Sequence, residues 1–145
     1  MLSKESLDQV KREVAKYPPE RKSSAVMAAL RIAQEEHGWL SVPLMDYIAE
    51  LLGMRPIQVY EVATFYSMYD LKPVGKHKIS ICTNISCMLC GSDTIVKHLE
   101  TRLGIKLGET TPDGMVTLKE VECLAACYGA PMFQIGKTYY ENLTP

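Results

Sequence analysis

Five cysteines stand in the second half of this 145-residue chain, at positions 82, 87, 90, 123 and 127. Cys82 and Cys87 form a C-x4-C pair within Ile79–Gly91, and Cys123 and Cys127 a C-x3-C pair within Glu122–Pro131, with 35 residues between the pairs. Two short loops, each offering two thiolates, are what a four-coordinate metal or a small iron–sulfur cluster requires. A thiolate buried without a cation is costly, so clustered cysteines need a metal, a disulfide partner or continued protonation. A [2Fe–2S] site is the first reading, and three others compete with it. Zinc could use the same four thiolates, although zinc knuckles usually show C-x2-C. Cys87-Met88-Leu89-Cys90 is a literal C-x-x-C, but a thiol–disulfide pair there leaves Cys123 and Cys127 unexplained and lacks the expected aromatic-Gly-Pro context. Four unrelated core cysteines are the plain alternative, since free cysteine is a common buried residue.

The elements around the pairs suit an anionic centre. Lys78–Cys82 alternates and is β-branched, so Cys82 falls at the end of a strand. Cys87 precedes a helix expected from Ser92 to Leu103, with Ser92 and Asp93 as caps and Gly104 as its close. Leu124-Ala125-Ala126 and Gly129-Ala130 are small or permissive, so backbone amides can approach sulfur and tune a bound cluster. Thr111-Pro112-Asp113-Gly114 reads as a turn and Met115–Val121 as a second strand. Met132–Ile135 and Thr138–Glu141 flank Gly136-Lys137, a tight Gly-X hairpin. Thr144-Pro145 looks like a helix start, so a terminal helix is expected to be missing from this half.

The first half has a different period. Leu7, Val10 and Val14 recur at helical spacing from Ser3 to about Tyr17, and Pro18-Pro19 ends that helix. A second helix is expected over Ser23–His37, with an inner stripe of Val26, Ala29, Leu30 and Ala33 and Gly38 as its left-handed cap. Ser41 and Pro43 open a third over Leu44–Leu52, closed by Gly53, and Pro56 opens a fourth over Ile57–Met68. The fold expected is α+β: a small helical bundle over residues 1–75, then a second domain over 76–145.

Bulk properties exclude several functions. Hydrophobic content of 47% and charged content of 23% are those of an ordinary globular protein. Lys and Arg number 9 against 10 acidic residues up to Gly75, and 7 against 7 after it, so no basic face points to nucleic acid. No apolar run approaches a membrane span, the N-terminus lacks a signal-peptide core, and five cysteines in a reducing compartment favour metal or redox chemistry. The chain thus reads as intracellular. There is no dinucleotide or P-loop fingerprint. His37, His77 and His98 are scattered, and each reads as a surface or helix-end residue. Trp39 is either an interface anchor or packing over the bundle, and part of the aromatic Tyr60–Tyr69 stretch should face a partner, because four short helices bury little by themselves.

Three stretches carry a family resemblance: Cys82-Thr83-Asn84-Ile85-Ser86-Cys87 with Gly91-Ser92, Glu122-Cys123-Leu124-Ala125-Ala126-Cys127 with Ala130-Pro131, and Val59-Tyr60-Glu61-Val62-Ala63-Thr64-Phe65-Tyr66. They resemble the E subunit of bacterial NADH-quinone oxidoreductase, respiratory complex I, over nearly the whole chain. The resemblance implies a thioredoxin-like ferredoxin domain in which Cys82, Cys87, Cys123 and Cys127 bind one [2Fe–2S] cluster, while Cys90 stays a free thiol. It implies that Pro131 matches a proline that is cis in many thioredoxin-like folds. It further implies that FMN and NADH sit on the partner flavoprotein F subunit, with other peripheral-arm subunits as neighbours. The chain would then be cytoplasmic, peripheral to the inner membrane through its complex, and without a complete active site of its own. Two alternatives remain: the diaphorase subunit of an NAD-dependent hydrogenase or formate dehydrogenase, which shares these features, and a free-standing thioredoxin-like ferredoxin carrier, which has no need of the helical half.

Overall fold

Helix starts and stops in the first half follow the local chemistry. In the computed structural model, which describes Met1–Pro145, the helices are α1 (Lys4–Val14), α2 (Val26–His37), α3 (Val42–Leu52) and α4 (Pro56–Phe65). Ser3 caps α1 by accepting the Ser6 N–H, while Gly38 and Gly53 close α2 and α3 in left-handed geometry. Two helices differ from the sequence expectation. A 3-10 segment, Pro19–Ala25, takes the place of the first turn expected for α2. Its Arg21 leaves helical geometry (φ −117°, ψ 25°), and the α-helix begins at Val26 after Ala25 (φ −83°, ψ 2°) as N-cap. Helix α4 stops at Phe65, three residues early, because Tyr66 turns extended (φ −93°, ψ 121°). Long-range bonds hold that turn: Gln34 donates to the Met68 carbonyl and accepts the Asp70 N–H, and the Tyr69 hydroxyl donates to the Met27 carbonyl at 2.9 Å.

The chain divides into two compact units, Met1–Pro73 and Val74–Pro145. The first closes on Val10, Leu30, Leu40, Ile48 and Val59, all fully buried, and the expected stripe of Val26, Ala29, Leu30 and Ala33 lies inside with them. Phe65, Met68 and Ile57 stay largely exposed.

Tyr69 gives this unit an alkaline signature. Burial pushes its phenol up to about 12, against the pull of the Arg31 guanidinium. A phenol whose folded pKa is raised contributes stability that is complete below its unfolded value near 10 and is lost as pH rises toward 12. Tyr69→Phe removes the ionisation. The stability gap between wild type and variant, from urea unfolding at pH 9, 10.5 and 12, should therefore shift in the variant's favour across that window. A gap that stays constant would show that Tyr69 does not titrate there.

The second unit carries a four-stranded sheet in the order β2-β1-β3-β4. Strand β1 (His77–Cys82) pairs parallel with β2 (Val116–Val121) and antiparallel with β3 (Phe133–Ile135), which pairs with β4 (Thr138–Tyr140). Parallel neighbours need a crossover, and two helices supply it: α5 (Ile85–Leu89), not anticipated from the sequence, and α6 (Ser92–Leu103). The β3–β4 turn is Gly136-Lys137 as expected, with Gly136 at φ 59°, where only the residue without a Cβ sits cheaply. The expected capping of α6 by Ser92 and Asp93 does not occur. Gly91, at φ 95°, holds the cap position with no side-chain bond, and Ser92 is drawn inside as the first helical residue. Leu118, Ile79 and Ile105 form the core between sheet and helix, joined by Leu99 and Leu103.

Candidate metal centre

The strand register sets where the cysteines arrive. Cys82 is the last residue of β1 and lies opposite Val121, the last of β2, so the loops that follow both strands leave the same end of the sheet. The first loop turns at once into α5, which Asn84 opens by accepting the Ile85 N–H at 2.7 Å. Cys87 lies on this helix and is buried, while Cys90 caps its end and is exposed. Thr83 ties this loop to β2 through Glu120 at 2.5 Å.

The second loop is shaped by its backbone. Ala125 takes a left-handed conformation (φ 58°), unusual for a residue with a Cβ, and its N–H points to the Cys123 sulfur at 3.2 Å. Nothing in an alanine announces that geometry, so the sequence shows only a permissive loop there. A short 3-10 turn, Cys127–Gly129, follows, and Ala130–Pro131 is a cis peptide bond. The loop is held from outside by the Tyr139 hydroxyl, which donates to the Leu124 carbonyl at 3.0 Å, and by Asn142 N–H on the Gly129 carbonyl at 2.8 Å. Gly129 has no room for a side chain, since a Cβ there would meet Glu141. From the sequence Tyr139 is only a strand residue; its cross-loop bond is a tertiary fact.

These loops pair some of the cysteines and leave others apart. Cys82 and Cys87 are buried together against Met132, with Leu124, Ala126 and Ala130 around them. The Cys82 sulfur faces the Glu122 carbonyl at 4.0 Å, which links the end of β1 to the second loop. Burial, reinforced by a hydrogen bond with Cys82, pushes the Cys87 thiol up to about 11, and Cys127 is near enough to add to that rise. Cys123 and Cys127 are exposed, all five thiols are free, and no three His, Cys, Asp or Glu side chains close into a metal-holding group. None of the three histidines lies inside: all are exposed, with His37 at the end of α2.

The donor set fits an iron–sulfur group on chemical grounds. Cys82 and Cys87 are buried side by side, and the Cys87 thiol resists ionisation, so a cation is needed to hold the pair as thiolates; iron supplies that charge. Two further soft donors follow the neighbouring strand, and the turned Ala125 amide already addresses one of their sulfurs.

Comparison with known proteins points the same way. The family model for the thioredoxin-like [2Fe-2S] ferredoxins matches residues 10–145. The E 2 subunit of the NADH-quinone oxidoreductase of Rhizobium meliloti (strain 1021) is 49% identical over 136 residues, which cover 94% of this chain and 80% of that protein. The E subunit of the NADH-quinone oxidoreductase of Rickettsia conorii (strain ATCC VR-613 / Malish 7) is 50% identical over 144 residues, covering 99% and 86%. Among solved structures, a chain of an NAD+-reducing [NiFe]-hydrogenase in the air-oxidized state superposes with a TM-score of 0.67 at 17% identity. The superposition covers 79% of this chain and 20% of that much longer one, so the likeness is one of fold.

Proposed function

Because the chain belongs to the thioredoxin-like [2Fe–2S] ferredoxins, in the E-subunit family of the NADH-quinone oxidoreductases, we propose that Cys82, Cys87, Cys123 and Cys127 hold its one [2Fe–2S] cluster. The chain is an electron-transfer subunit of an oxidoreductase complex. When bound, the cluster supplies one-electron storage. The observation that carries the assignment is the parallel register of β1 and β2, which brings both cysteine loops to one end of the sheet.

The chain's own residues shape the site. Cys82 and Cys87 offer buried sulfurs, and Met132, Leu124, Ala126 and Ala130 keep water from them. The Ala125 N–H stabilises negative charge on the Cys123 sulfur. Around the cysteines, Ile85, Met88 and Leu89 on α5 and Tyr128 beside Cys127 are exposed apolar side chains, fully so for Tyr128. These form the docking surface for a flavoprotein F subunit that carries FMN and NADH, and electrons pass singly between that FMN and this chain. Phe65, Met68 and Ile57 of the helical unit offer apolar surface for the same complex. Other peripheral-arm subunits hold the assembly at the cytoplasmic face of the inner membrane. The chain itself has no helix long and apolar enough to cross a membrane.

Near 50% identity to two such E subunits over almost the full chain favours this parent complex over a hydrogenase or formate dehydrogenase diaphorase. The exposed apolar side chains on both units favour a complexed subunit over a free carrier. Anaerobically purified protein should contain about two irons per chain, be EPR-silent when oxidised, and give a rhombic S = 1/2 signal with dithionite. One zinc per chain and no signal would overturn the assignment. Co-purification with an FMN-containing chain tests the partner.

A further inference from the structure

Ser92 is fully buried, and its Oγ is the one buried side-chain nitrogen or oxygen in the chain without a hydrogen-bond partner. Leaving a buried hydroxyl unpaired is costly, so an orphan of this kind calls for an acceptor. Carbonyls of the turn that leads into α6 already accept backbone bonds: Ser86 O from Cys90 N–H, Met88 O from Gly91 N–H, and Gly91 O from Thr94 N–H.

The fold says what lies at that end of the helix. Leu99 and Leu103, toward the far end of α6, pack against the core of Ile79, Leu118 and Ile105. A crossover between parallel strands returns antiparallel to them, so α6 runs back along β1 and its first turn lies toward the strand end that carries Cys82. Ser92 and Ile95, one turn apart, are its two buried residues and share the inward face. The elements packed against α6 are β1, which ends in Cys82, and α5, which carries Cys87.

On the reading that the four cysteines hold a [2Fe–2S] cluster, we propose that the Ser92 hydroxyl donates a hydrogen bond to a sulfur of that cluster, on the Cys82–Cys87 side, and raises its reduction potential. Adding one electron increases the negative charge on the sulfurs, so an O–H donor stabilises the reduced form more than the oxidised form. The helix adds its positive end to the same effect, since α6 begins at Ser92.

The test uses the full chain reconstituted with iron and sulfide, as wild type, Ser92→Ala and Ser92→Thr. Iron analysis and the EPR signal of the wild type come first; a chain that takes up no iron refutes the cluster assignment itself. Given a loaded wild type, EPR-monitored redox titration reads only loaded molecules, so altered occupancy does not enter. Ser92→Ala should make one-electron reduction roughly tenfold harder, about 59 mV in midpoint. Ser92→Thr, which keeps the hydroxyl, should return most of it. Pulsed EPR after reconstitution in D2O should show a deuteron coupling that Ser92→Ala lacks, beside those of backbone amides such as Ala125 that both proteins keep. An alanine midpoint equal to wild type overturns the proposal, as does an alanine spectrum that keeps every deuteron coupling of the wild type. Alanine deletes an orphaned hydroxyl and leaves the methylene that packs, so the cluster-free variant should fold as well as wild type.

Discussion

Replacing Cys87 by alanine should leave the purified chain with almost no iron and no EPR signal, whereas Cys90→Ala should keep about two irons per chain. The two cysteines sit within one turn, yet their surroundings differ. Cys87 is buried beside Cys82 and Met132, and Cys90 is exposed at the end of α5. Removing Cys87 withdraws one of the two donors of the first loop and leaves Cys82 facing a cavity. The same loss is expected for Cys82→Ala, Cys123→Ala and Cys127→Ala, because three thiolates leave one iron with an open position that water or oxidants can attack. Iron, acid-labile sulfide and visible absorbance on anaerobic protein check all five variants together. Full iron in Cys123→Ala or Cys127→Ala would break the assignment, and loss of iron in Cys90→Ala would move the ligand set toward the C-x-x-C pair.

Leu118→Ala should cost the second unit about 2–5 kcal/mol, the range for emptying a large buried side chain from a packed site. Leu118 is completely buried, lies opposite Ile79 in the β1–β2 register, and packs with Ile105, Leu99 and Leu103. Against a total stability of order 5–15 kcal/mol, such a loss takes a large share. Strand β2 also delivers Cys123 and Cys127, so a loosened β2 should release iron faster to a chelator. Urea unfolding by circular dichroism gives the first effect, and the rate of bleaching with excess chelator gives the second. A variant with an unchanged urea midpoint would show that this core does not carry the unit.

The sequence alone was enough for features whose cause is local. Gly38, Gly53 and Gly104 close helices in left-handed geometry because only a residue without a Cβ adopts it cheaply there. Gly136-Lys137 makes the hairpin for the same reason, and the stripe from Val26 to Ala33 follows from helical period. The cysteine spacings named a chemistry, since few groups other than a metal or cluster make use of four clustered thiols. Helix α5 escaped because five residues are too few to show a period. The early end of α4 escaped because residues distant in the chain, Gln34 and Met27, hold the turn after it.

Tertiary structure decided the rest, and it did so through burial. Ser92 looks in sequence like an ordinary helix cap, and only the packing of α6 on α5 and β1 turns it inward and strips its hydroxyl of a partner. Cys82, Cys87 and Cys90 are equivalent thiols in a string of letters. The register of β1 on β2 and one turn of helix make two of them a sealed pair and leave the third in water. Residue type and spacing set which chemistry is possible; the loss of water around particular atoms sets which of those atoms must find a partner.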